Sequence, residues 1–160
     1  MSTELQQDIF DEEQEEVLDE YLSFVSDDLR FAVSARYVTE IITSYSITIL
    51  PQVPDYVKGI FNLRGQVLPI IDARVRMRQA PNAEEDGKCV IVLNTKEGEV
   101  AIGFLVDGVS HVVNISDEEI LPPPANSRQE LVSGIAHIDN DDYLILNCDK
   151  LLEKSRNSIQ

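Results

Sequence analysis

Between about residue 20 and residue 152, apolar residues come in short runs, each closed within a few positions by Gly, Pro, Asn, Asp or Ser. This punctuation favours strands joined by tight turns, because an amphipathic helix needs a longer stretch of 3.6-residue periodicity free of breakers. An all-β fold is expected. Tyr21–Val25 and Leu29–Val33 flank the polar tripeptide Ser26-Asp27-Asp28, which suits a hairpin connection. Val38-Thr39-Glu40-Ile41-Ile42 has apolar residues at i, i+3 and i+4 and fits either an irregular strand or one helical turn. Pro51 and Pro54 bracket a non-strand connection, and Pro54 is placed to begin a helical turn through Val57 that Gly59 ends.

Val67–Ile71 reads as a strand, and Arg74, Arg76 and Arg78 alternate with Val75 and Met77 as if it continued with a solvated arginine face. Ala80–Gly87 is polar and rich in breakers, after which strand grammar restarts at Cys89–Leu93, apolar on both faces. That loop is taken as the boundary between two small β units, roughly 20–78 and 87–147, followed by a closing helix at 148–153 and a tail at 154–160. Lys96-Glu97-Gly98 turns the chain into Glu99–Val106, and Asp107-Gly108 is a hairpin signal leading to Val109–Ile115. Ser116–Glu119 has the form of a capping box, cut short by the extended run Pro122-Pro123-Pro124. Leu131–Ile138 and Tyr143–Leu146 make a last hairpin around Asp139–Asp142.

Charge narrows the functions open to such a chain. It holds 29 acids against 13 Lys and Arg, a net charge of −16, and residues 1 to 20 carry nine of those acids and no base. Residues 1–19 read as an acidic tail, disordered or a short frayed helix. A chain of this sign repels phosphate backbones and anionic lipid, so neither nucleic acid nor a membrane surface is expected as a partner. No apolar run approaches the roughly 18 residues that span a bilayer, and the acidic start is unlike a secretory signal, so a cytoplasmic protein without membrane insertion is expected. Cys89 and Cys148 each lie inside apolar sequence and read as buried reduced thiols.

Catalytic constellations are missing. Asp72 follows Leu68-Pro69-Ile70-Ile71, faintly like an aspartic-protease motif, but no second copy exists to share a proton, which leaves a small hydrolase as the weaker functional class. His111 and His137 lie in different strands, and Asp139, Asp141 and Asp142 lack the glycine and distant glutamate of a calcium loop. No enzyme activity, metal or cofactor is expected.

Binding is left, and Gly59–Asp72 is where the sequence points. Asn62-Leu63-Arg64-Gly65 sets one cation on a tight bend before a strand, where a planar guanidinium can reach a carboxylate or carbonyls of a partner. A solvated turn residue is the plainer reading of the same Arg.

In its order of motifs the chain resembles the CheW family of chemotaxis coupling proteins over nearly all of residues 20 to 152. The resemblance rests on Gly59 to Asp72 with its Arg64-Gly65 and apolar-Pro-apolar-apolar-Asp, on Phe104–Val109, on Leu121-Pro122-Pro123-Pro124, on Gly134, and on Leu144–Leu152, where Asn147 stands in place of a common Asp. It implies two five-stranded SH3-like barrels with a groove between them. It also implies a non-enzymatic adaptor joining a chemoreceptor's cytoplasmic hairpin tip to the regulatory domain of the histidine kinase CheA in membrane-associated arrays, with other CheW-like copies as further partners in rings. Carried over, Val38, Glu40 and Gly59 fall at the kinase contact, while Arg64, Ile41 and Ile42 fall on the receptor side. Alternatives within the same fold are a scaffold in a surface-motility system and a general peptide-binding double SH3-like module.

Overall fold

The computed structural model describes residues 20–80, 88–95, 100–124 and 130–159. The expected acidic tail, most of the Ala80–Gly87 loop and the Lys96-Glu97-Gly98 turn lie outside the described residues. β1 (Glu20–Ser26) and β2 (Leu29–Ser34) form the expected hairpin, with Ser26 paired to Leu29. Asp27 and Asp28 both take left-handed φ, 53° and 63°, as a two-residue turn matched to strand twist requires. β3 (Val38–Ile42) is a strand with a bulge between Val38 and Glu40, which settles the open choice there.

Then come β4 (Val57–Leu63), β5 (Gln66–Asp72), α1 (Ala73–Arg76), β6 (Cys89–Asn94), β7 (Ala101–Val106), β8 (Gly108–Asn114), β9 (Ile120–Leu121), β10 (Val132–Ile138), β11 (Asp141–Leu146) and α2 (Cys148–Ile159). The fold is all-β, with two SH3-like subdomains. Sheet one runs β8-β1-β2-β11-β10-β9 and sheet two runs β3-β6-β7-β5-β4.

Each sheet therefore takes strands from both sides of residues 81–87, and the expected division into contiguous units 20–78 and 87–147 is corrected. β2 finds its second neighbour in β11, parallel, with Phe31 opposite Leu144. Parallel β5–β7 pairing ties the other sheet in the same way. Sequence punctuation marks where strands lie, and it is silent on which strand each one meets.

Four local readings also change. Asp107-Gly108 is not a hairpin: β7 already has β5 and β6 on its two edges, so the chain leaves sheet two there and β8 pairs with β1. Arg74–Arg78 is not a strand, because the Asp72 carboxylate accepts from the amides of Arg74 and Val75 at 3.0 and 3.4 Å and so caps α1. Pro54 leads through a turn directly into β4, so Gly59 lies inside a strand and ends no helix. α2 also outruns the expected 148–153 and continues to Ile159, there being no Gly or Pro to stop it.

One apolar cluster is shared between the sheets. It joins Leu22, Phe24, Phe31 and Leu146 of sheet one to Ile71, Ile91, Ile102 and Phe104 of sheet two, with Leu151 and Leu152 of α2. Phe24 stacks on Phe31 at 5.4 Å and meets Phe104 edge-on at 5.9 Å. Each sheet has a smaller cluster of its own: Ala32, Ile115, Ala136, Tyr143 and Ile145 in one, and Ile70, Val90 and Leu105 in the other. β6 is consequently buried from Cys89 to Leu93, as its doubly apolar sequence predicts.

Candidate interaction site

The Asn62–Gly65 bend is a two-residue hairpin between β4 and β5, closed by the Leu63–Gln66 pair. Arg64 and Gly65 both have positive φ, 52° and 88°, and the Gly65 amide donates to Asn62 Oδ1 at 2.9 Å. This geometry throws the Arg64 side chain outward. Its guanidinium then meets Glu40 of β3 in a fork, Nη1 to Oε1 at 2.7 Å and Nη2 to Oε2 at 3.0 Å. Arg64 remains 74% exposed and Glu40 25%. The Arg64 hydrogen bonds hold the Glu40 carboxyl below its ordinary range, and Glu40 in turn raises Arg64.

β3 and β4 stand at opposite ends of sheet two, so this pair requires the sheet to curl until its edges meet. A second closure lies nearby. Thr48 and Ile60 exchange backbone hydrogen bonds of 2.9 Å in each direction, laying the segment after β3 along the outer edge of β4. Gly59 is what admits that segment: a Cβ there would sit 2.3 Å from the Thr48 carbonyl oxygen and 2.6 Å from Ile47 Cγ2. Gly59 is buried beneath Ile47 and Thr48.

The remaining residues singled out from the sequence share β3. Val38 is half-buried and packs against the shared cluster, Ile42 is half-buried against the cluster of Ile70, Val90 and Leu105, and Ile41 points outward at 41% exposure. The structure thus brings Glu40 and Arg64 into direct contact, although the family resemblance divides them between two partners. It also shows exposed apolar residues that sequence reasoning passed over. Val67 lies on β5 beside the Arg64 turn, Ile49 follows Thr48, Val112 lies on β8 and Leu121 on β9. Period-two alternation gives the two faces of each strand, but the sheltered face depends on the packing of the other sheet.

The cleft between the ends of sheet one and α2, about 780 Å³, is lined by Tyr21, Arg36, Tyr37, Asp117, Asn147 and Asp149 among others. Several of its groups are committed to structure: Asn147 Oδ1, for one, accepts from the Lys150 amide at 3.1 Å. Tyr37 donates to Asp149 Oδ1 at 3.0 Å, and burial followed by that bond and the Asp149 charge pushes the phenol up to about 12. Burial pushes the Cys148 thiol up to about 12, so it stays protonated and a poor nucleophile. His137 bonds Asp142 at 2.6 Å, whereas His111 lies on β8 with its ring 3.5 Å from the Tyr143 hydroxyl. Among the described residues no group of three or more His, Cys, Asp or Glu is placed to hold a metal ion. Nor is any described helix long and apolar enough to cross a membrane.

Two SH3-like β units sharing a core, with an exposed ion pair and flanking apolar residues, define a binding module. The model of the CheW-like domain matches residues 20–156, and the chain belongs to that family. It is 33% identical over 141 residues to the chemotaxis protein CheW of Klebsiella aerogenes, covering 86% of this chain and 84% of that one. Identity to the chemotaxis protein CheW of Rhizobium meliloti is 38% over 135 residues, with 82% and 86% covered. The protein FrzA of Myxococcus xanthus is 29% identical over 141 residues, with 86% and 87% covered. The crystal structure of the scaffolding protein TtCheW from Thermoanaerobacter tengcongensis superposes with a TM-score of 0.74 at 27% identity, covering 80% of this chain and 88% of that one. The protein is accordingly a non-enzymatic scaffold of the chemotaxis type.

Proposed function

We propose that this scaffold couples a chemoreceptor's cytoplasmic hairpin tip to the regulatory domain of the histidine kinase CheA, and so works at membrane receptor arrays through protein contacts alone. The observation that carries this reading is the exposed Arg64–Glu40 fork beside Ile41 and Val67. A cation fixed by a carboxylate, on a surface that also exposes Ile41 and Val67, has the mixed composition of a modest protein interface. Because Glu40 and Arg64 are one unit, we assign both to the receptor side with Ile41 and Ile42, of which Ile41 faces outward and Ile42 anchors β3 inward against Ile70, Val90 and Leu105. Val38 and Gly59 serve the kinase side by shaping β3 and the Ile47–Thr48 segment on β4. Micromolar affinity for each partner, about −8 kcal/mol, suffices when many such contacts act together.

The experiment is a pair of titrations by calorimetry with a receptor hairpin fragment and a kinase regulatory domain. Saturable binding to both, simultaneously, is expected; a chain that binds neither refutes the reading. The likeness to FrzA supports a second reading, a scaffold in another chemosensory system. Co-purification from cells separates the two by which kinase and receptor are recovered.

A further inference from the structure

Apolar contact is non-directional, so the cluster shared by the two β units holds them together without by itself fixing the angle between them. A directional contact lies at their junction. Arg74 belongs to α1, just after β5 of sheet two. Its Nε donates to Asp107 Oδ1 and Oδ2 at 3.1 and 2.9 Å, its Nη2 lies 2.7 Å from Asp107 Oδ2, and its Nη1 reaches Asp27 Oδ1 at 3.1 Å and the Ala80 carbonyl at 2.8 Å.

Asp27 is in the β1–β2 turn of sheet one. Asp107 is fastened to the same turn, since its amide donates to the Val25 carbonyl at 3.0 Å and its Oδ2 accepts from the Asp27 amide at 2.8 Å. Ser26 and Gln79 lash the units a second time: Ser26 Oγ donates to Gln79 Oε1 at 2.5 Å and Gln79 Nε2 donates to the Ser26 carbonyl at 2.9 Å. Only 13% of the Arg74 side chain is exposed, so solvent competes little for these bonds. Burial pushes Asp107 upward, but the Arg74 hydrogen bond, the Asp27 amide and the charges of Arg74 and Lys88 bring it below its ordinary value, so it is the charged carboxylate that the cluster stabilises.

We propose that Arg74 is a positioning residue, whose fork to Asp107 and Asp27 fixes the angle between the two β units and so holds sheet one in a set direction relative to the Arg64–Glu40 surface on sheet two. A planar guanidinium can hold two carboxylates in a set direction, whereas the point charge of a lysine cannot. The angle is a property of the isolated chain and is tested there.

The test uses the full chain with Val67→Cys and Val112→Cys carrying spin labels, one on β5 of sheet two and one on β8 of sheet one, each 57% exposed, while native Cys89 and Cys148 are buried. Pulsed dipolar spectroscopy then reads the distance between the units. In Arg74→Gln the mean should shift, or the distribution broaden, by about 2 Å or more, with the β circular dichroism retained and Arg74→Lys intermediate. Asp27→Asn leaves the Arg74–Asp107 pair in place and should move the distance in the same sense, and it decides the matter if Arg74→Gln does not fold. An unchanged distribution in the folded variant overturns the proposal. A wild-type chain that binds neither fragment but keeps the distance effect refutes only the adaptor reading.

Discussion

Arg64 and Glu40 share one bidentate contact, so any partner that engages one must accommodate the other. Arg64→Ala and Glu40→Ala should each weaken receptor-fragment binding about tenfold, and the double variant should be no worse than the weaker single one. A calorimetric double-mutant cycle measures this, and simple additivity would show that the two residues act separately. Arg64 itself was legible, because Asn-Leu-Arg-Gly before a strand announces an outward turn. Its partner was not, being 24 residues away on a strand at the far end of the sheet. Two other residues set the alkaline limit of the fold. Tyr37 is raised from 10.0 and Cys148 from 9.0, each to about 12, so the folded state holds both protons more tightly than the unfolded chain does. Their contribution is present in full below pH 9 and is lost as the pH rises toward 12. The urea midpoint should fall across that window, and in Cys148→Ala the fall should begin about one pH unit later.

Gly59 shows how an element reads differently once its neighbours are known. As sequence it ended a helical turn; in the sheet it is the gap through which the Ile47–Thr48 segment reaches β4. Gly59→Ala should therefore cost about 1–3 kcal/mol, since the nearest obstruction is a backbone oxygen that cannot swing aside. Chemical denaturation checks it. A stability unchanged by the substitution, together with lost kinase affinity, would instead place Gly59 in the interface itself. Two hairpins closed by two-residue turns were legible, at Asp27-Asp28 and Asp139-Asn140, because left-handed φ in Asp and Asn is a local property, whereas β4 before the Arg64-Gly65 turn was read as a helical turn. Asp107-Gly108 carries the same local signal and failed, because both edges of β7 were already taken by β5 and β6. The arginine run after Asp72 failed for a related reason. Alternation of Arg with Val and Met fits a strand, but a carboxylate one residue upstream was placed to cap a helical turn.

The two sheets exchange strands across residues 81–87, and this makes the molecule a single cooperative unit. A fragment of residues 20–78 would keep β1 and β2 without β8, β10 and β11, and would leave β4 and β5 without β7. The complementary fragment of residues 88–160 would expose the edge of β11 that β2 covers and strip β7 of β5. Neither half retains the shared cluster, in which Phe24 of one half meets Phe104 of the other. Each fragment alone should therefore lack a cooperative thermal transition, whereas an equimolar mixture should recover both the transition and the β circular dichroism of the intact chain. Independent folding of either half would require its sheet to close without the strands contributed by the other, and would overturn the interleaved topology.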